Sequence, residues 1–135
     1  AALLEKTYSL LGDDAIATDQ VEIHPYLQAP RLCEYARKKG LTLTAYQPLY
    51  KGQVNDDPLL KEIAAGHGVT AAAVTLAFLM AEGHVVIPAS GRVENLRSNF
   101  LSAGVTLTAD EIARIRTLDR SDRAINPAKS PRWDD

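Results

Sequence analysis

The run Leu41-Thr42-Leu43-Thr44-Ala45, closed by Tyr46-Gln47-Pro48-Leu49, constrains the fold most, because Val85-Val86-Ile87-Pro88-Ala89-Ser90 repeats its plan further along. Each reads as a short strand that delivers an aromatic or small polar residue to a loop at its C-terminal end. A third strand-like segment, 15–23, precedes them, and helical patterns fill the intervals. Strands alternating with helices specify a parallel sheet with crossover connections. In such folds ligands bind at the C-terminal ends of the strands.

The helices announce themselves by their ends. Residues 1–12 carry Leu3, Leu4, Leu10 and Leu11 at helical spacing and stop at Gly12, with no capping residue ahead of Ala1. The only methionine is Met80, so the chain is expected to begin in mid-fold. Pro30 opens a helix through Lys39, stopped by Gly40. Residues 50–57 read as polar loop, Pro58 starts a short helix to Ala65, and Gly66-His67-Gly68 breaks it. Thr70 caps the next helix, 71–82, whose Val74, Phe78 and Leu79 form an apolar face with Leu76 and Met80 beside it. The third strand, 84–89, lacks strict alternation and is expected to be covered on both faces. A helix follows over 93–101, then a capping box at Thr108-Ala109-Asp110-Glu111 ahead of Ile112, Ile115 and Leu118. Pro127 and Pro131 hold the tail extended.

Composition narrows the function classes. The 15 Lys+Arg and 17 Asp+Glu give a net charge of −2, with no basic stripe of the kind a nucleic-acid surface needs. No apolar run approaches the ~20 residues of a membrane span, and no basic-then-apolar leader is present at residue 1. The lone Cys33 has no internal disulfide partner, which points to a reducing cytoplasm. On the helix with Leu32 and Ala36 it reads as a buried structural thiol. His24, His67 and His84 form no metal-ligand spacing with it or with one another. Metal ligands are therefore read as none, and no nucleophile sits at supporting spacing with His24.

Asp19-Gln20-Val21-Glu22-Ile23-His24-Pro25-Tyr26, Tyr46-Gln47-Pro48-Leu49 and the 85–99 segment, in this order, resemble the C-terminal half of an aldo-keto reductase barrel. The resemblance covers nearly the whole chain. It implies an α/β fold that is the C-terminal portion of a (β/α)8 TIM barrel, about three βα units plus a C-terminal helix and tail, occupying 1–135 as a partial domain. It also implies an NADP-dependent oxidoreductase that reduces aldehydes or ketones. By the family pattern Gln20 hydrogen-bonds the nicotinamide carboxamide, with Asp19 in place of the usual asparagine. Tyr46 stacks on the nicotinamide ring. Gln47 stands where a serine commonly contacts the pyrophosphate, and Pro48 and Leu49 lead into a loop over the cofactor. Ser90 and the following helix N-terminus meet the phosphates. The usual lysine and arginine of this segment are Ala89 and Asn95, which leaves Arg92 as the candidate for the 2′-phosphate. Ser98 and Asn99 approach the adenine. His24-Pro25 matches a pair that is chiefly structural.

The family's proton-donating tyrosine, its lysine and aspartate, and the substrate-orienting histidine all belong to the first half of the barrel. The chain alone is therefore expected to be inactive. Three strands cannot close an eight-stranded barrel. A missing N-terminal half, self-association or a genuine truncation are the alternatives. The tail, with Asp119-Arg120-Ser121-Asp122-Arg123 and Pro131-Arg132-Trp133-Asp134, resembles the short C-terminus of bacterial diketogluconate-type members, which go with small carbonyl substrates. Trp133 is either a wall of the substrate pocket or an anchor of the tail. A non-catalytic nucleotide-binding or structural half-barrel is the reading from another class.

Overall fold

The computed structural model of the chain describes residues 2–12 and 15–128. Trp133 and Pro131 lie outside the described residues. The elements run α1 (Ala2–Leu11), β1 (Thr18–Glu22), α2 (Pro30–Lys39), β2 (Thr42–Tyr46), a 3-10 segment (Tyr50–Asp56), α3 (Pro58–His67), α4 (Ala71–Ala81), β3 (Val85–Val86), α5 (Val93–Leu101), a 3-10 turn (Ser102–Gly104) and α6 (Ala109–Arg116). The three strands form one parallel sheet in the order β1-β2-β3. Parallel neighbours need long crossovers, which α2 supplies between β1 and β2, and α3 with α4 between β2 and β3.

Register decides which residues share a face. Thr18 pairs with Thr42, Gln20 with Thr44 and Glu22 with Tyr46, while Thr44 also pairs with Val85. Side chains alternate along a strand, so these residues form one face and Asp19, Val21, Leu43, Ala45 and Val86 the other. The second face is packed under α2 and α4, with Leu43, Ala45, Phe78 and Leu79 in one buried cluster. The first face is open: Thr18, Gln20, Thr42 and Val85 are exposed. It is also largely polar, and the Thr18 and Thr44 hydroxyls bond across it at 2.8 Å.

Four expectations change. β3 is a two-residue ladder, extended only by the Ile87 N–H donating to Ala45 O at 3.3 Å. It is covered on one side rather than two, since Val85, on the open face, is 49% exposed. The 50–57 stretch is 3-10 rather than loop, since Tyr50 and Val54 turn inward and are buried. Its kink falls at Lys51 (φ 54) and Gly52 (φ 88). Gly66 stays inside α3, and the break comes at Gly68, whose φ of 64 suits a residue without a Cβ. Finally, α4 has no single apolar face: Ala71 and 73–79 are all buried, because α3, α5, the 3-10 segments and the sheet enclose it.

Candidate functional site

A cavity of about 570 Å³ opens at the C-terminal ends of β2 and β3. Tyr46 ends β2 and forms part of the wall, and Gln47, at φ 52, turns the chain so that Pro48 and Leu49 continue it. Lys51, Gly52 and Asn55 of the 3-10 segment close one side. Ile87, Pro88, Ala89 and Ser90 line the side below β3, and Asn95, Ser98 and Asn99 of α5 the far end. Thr70, the N-cap of α4, completes the rim, and its hydroxyl sits 2.9 Å from that of Ser98.

The α5 end of the cavity is rich in unused donors. Ser90 Oγ accepts from the Arg92 N–H at 3.1 Å, which bends the chain into the helix. Arg92 is the N-cap of α5 but makes no side-chain cap, so the first helical amides keep their donors for another acceptor. Asn99 Nδ2 is buried with no hydrogen-bond partner among the described residues. A buried amide donor left unmatched is costly, and this one belongs to a side chain on the cavity wall.

The structure thus brings together Tyr46, Gln47, Pro48, Leu49, Ser90, Ser98 and Asn99. Two other candidates stand apart from the cavity wall. Gln20 lies mid-strand on the open sheet face, two residue pairs from Tyr46 in register. Arg92 is exposed at the α5 entrance. Sequence reasoning missed Lys51, Gly52 and Asn55 as wall residues, because a stretch read as loop carries no facing information, and Thr70, because a cap does not show what lies beyond the helix end. Lys51-Gly52 was the available signal, a glycine where the chain must turn sharply.

Beside the cavity lies a polar cluster built on Glu22, His24, Tyr26 and Tyr50. Glu22 is 5% exposed and His24 0%, and their side chains meet at 3.0 Å. Burial pushes the His24 pKa below its ordinary value, against the opposing pull of Glu22. The His24 ring lies 4.6 Å from that of Tyr50, away from the cavity wall. Tyr46 is raised by burial and by the Glu22 charge, with Arg123 opposing. It remains a neutral aromatic surface near pH 7. Burial pushes the Cys33 thiol up to about 11, and its Sγ–H donates to Gln28 O at 3.2 Å, so it is an unreactive thiol rather than a nucleophile. No group of three or more His, Cys, Asp or Glu among the described residues is placed to hold a metal. No single helix among them is long and apolar enough to cross a membrane.

A parallel sheet backed by helices on one face and open to a cavity at its C-terminal ends is part of a (β/α) barrel. The sequence profile of the Aldo/keto reductase family matches residues 2–120, and the chain belongs to that family. It is 41% identical over 133 residues to methylglyoxal reductase DkgB of Salmonella typhimurium, covering 98% of this chain and 50% of that protein. It is 41% identical over 125 residues to the NAD(P)H-dependent D-xylose reductase xyl1 of Aspergillus niger, covering 82% and 39%. Among solved structures, one assigned as 2,5-diketo-D-gluconic acid reductase B superposes with a TM-score of 0.92 at 38% identity, over 99% of this chain and 48% of the other. A variant of Gox0644 in complex with NADPH gives 0.83 at 31% identity, over 89% and 44%. The chain spans about half the length of the relatives it matches.

Proposed function

We propose that this chain is the cofactor-binding half of an NADP-dependent reductase of small aldehydes or ketones. The observation that carries the reading is the cavity itself. A flat ring, Tyr46, and a buried unpartnered amide, Asn99 Nδ2, share its wall, and the N-terminus of α5, without a side-chain cap, adjoins them. This set of groups suits a molecule with a planar ring, an anion and a second heterocycle. The solved relative holding NADPH and the NAD(P)H-dependent xylose reductase support it.

In this reading the Tyr46 ring stacks on the nicotinamide and leaves one face open to substrate. Gln20, on the same sheet face, offers donor and acceptor to the carboxamide. Gln47 reaches the pyrophosphate, while Pro48 and Leu49 set the loop above it. The α5 N-terminus with Ser90 receives phosphate, Arg92 swings to the 2′-phosphate, and Ser98 and Asn99 read the adenine. NADPH supplies the hydride to the carbonyl carbon. The alkoxide would take its proton from an acid that the other barrel half contributes. Small carbonyl compounds fit the substrates named for the relatives.

Fluorescence titration with NADPH tests this in the completed barrel. Tyr46→Ala should cost on the order of 1–3 kcal/mol in affinity, and Tyr46→Phe should stay within about tenfold of the parent. Arg92→Ala should weaken NADPH by roughly 1.5–3 kcal/mol and leave NADH almost unchanged. If Tyr46→Ala binds NADPH as tightly as the parent while still folded, the nicotinamide platform is elsewhere. Equal losses for NADPH and NADH would return Arg92 to a general role.

A further inference from the structure

Glu22 is an acidic side chain in an unusual position. It ends β1, is 5% exposed, and its only ion partner among the described residues is His24. Burying a carboxylate is costly unless it is hydrogen-bonded. Its remaining partners come from 102 and 103 residues away: the backbone N–H of Ala124 donates to Oε1 at 2.5 Å and that of Ile125 to Oε2 at 3.2 Å. Ala124 is held from the other direction as well, since Lys51 Nζ donates to its carbonyl at 2.7 Å. Two residues earlier, Asp122 accepts from the Tyr50 hydroxyl at 2.7 Å, and the Arg120 and Asp122 amides donate to Tyr26 O at 3.2 and 3.0 Å.

The segment 120–125 is therefore a strap across the C-terminal end of β1, stitched at one end to Tyr26 and at the other to Glu22. It is linked to Lys51, which lines the cavity, and to the buried Tyr50 that precedes it, both in left-handed backbone, at φ 54 and 47. Non-glycine residues there are strained. A strained loop that forms a cavity wall needs outside support, and the strap gives it.

We propose that Glu22 is a positioning residue: its carboxylate latches the strap, and the latched strap holds the Lys51-Gly52 wall of the cavity in place. The role assigned to that wall rests on the nucleotide reading above. The latch itself does not, because strap and wall are joined by contacts that need no ligand. Detaching the strap strips a buried carboxylate of two charge-assisted bonds and frees Lys51, so strap and wall open together.

Site-resolved amide hydrogen exchange on the full chain, without nucleotide, tests the latch. Glu22→Ala should speed exchange at Ala124 and Ile125 by tenfold or more and speed it at Lys51 and Gly52 too, while the α4 amides keep the parent rate. Glu22→Gln retains one acceptor oxygen and should fall between the two. Parent-like exchange at Ala124 and Ile125 in Glu22→Ala overturns the proposal. Fast exchange there with an unchanged Lys51-Gly52 wall overturns it equally, because strap and wall are then independent. Uniform acceleration that includes α4 in both variants makes Glu22 a general stability residue. Since no cofactor enters the measurement, failure of the latch leaves the nucleotide reading standing, and failure of NADPH binding leaves the latch standing.

Discussion

His24 is fully buried with one ring nitrogen bonded to Glu22 and the other, Nδ1, without a partner among the described residues. Burial lowers its pKa from the ordinary 6.5, and burial lowers His84 in the same way. A histidine depressed in the folded state is neutral in both states well above pH 6.5, so it costs nothing there. As pH falls through 6.5 the unfolded chain takes up the proton first, and stability drops until the folded-state pKa is passed. Asp122 and Glu111 act in a separate window. Asp122 is lowered chiefly by its bond from Tyr50 and Glu111 chiefly by that from the Thr108 amide, so their contribution is lost only as pH falls below the ordinary carboxylate range. The urea midpoint should therefore be flat from pH 8 to about 7 and decline from about 6.5 to 5. His24→Gln should lower the midpoint overall and flatten that decline; an unchanged slope would mean that His24 does not take up the proton. The sequence marked His24 as structural because its neighbours repeated a known pattern. It could not show Glu22 beneath it, since that bond depends on a strand end bringing two alternate residues under a distant strap.

Helix ends carried the most readable information at the scale of elements. The capping box at Thr108 forms as expected, with the Glu111 amide donating to Thr108 Oγ1 at 3.2 Å and Glu111 Oε2 accepting from the Thr108 N–H at 2.8 Å. Thr70 caps α4 by accepting from Ala73 at 3.1 Å. Caps are local, so four residues suffice to specify them. What failed was facing: the burial of α4 on every side and the inward turn of Tyr50 and Val54 depend on neighbours far along the chain. Asp57 shows the difference. It caps α3 through Leu59 and Leu60 at 2.9 and 3.1 Å and also accepts from the Tyr26 hydroxyl at 3.0 Å. Thr108→Ala should cost about 1 kcal/mol, a cap alone. Asp57→Ala should cost about 2–3 kcal/mol, because a buried tyrosine hydroxyl loses its acceptor as well. Urea denaturation of the two variants gives the comparison, and Tyr26→Phe in the Asp57→Ala background should recover part of the excess. Equal costs would mean that Tyr26 finds another acceptor.

Among the described residues, much of two sides of the molecule is left uncovered. β1 and β3 each keep one unpaired edge, the sheet's polar face is open, and α5 buries none of its residues. On that side Val93, Leu96, Phe100 and Leu101 are 60%, 49%, 81% and 68% exposed, and on α1 Leu3, Leu10 and Leu11 are 77%, 72% and 69% exposed. Covering side chains of this size is worth about 1.5–3 kcal/mol each, so these rows are surfaces for association. That an incomplete barrel was present could be read in the sequence, from three strand segments where closure needs more. The polar character of the open face could not, because register alone puts Thr18, Gln20 and Thr42 on one side. On the proposed reading, the remaining strands of an aldo/keto reductase barrel cover these rows, and the chain alone oxidises no NADPH in the presence of a carbonyl compound. Phe100→Lys separates association from folding. At 81% exposure the side chain contributes little to the isolated chain, so the urea midpoint should correspond to a change within about 0.5 kcal/mol. Assembly with a polypeptide supplying the missing strands should weaken at least tenfold, because a lysine charge would be buried at the contact. Carbonyl-dependent NADPH oxidation in the mixture reports that assembly. If Phe100→Lys assembles and turns over as the parent does, α5 is an outer face of the barrel, and the covering half must meet the chain through α1 and the two strand edges instead.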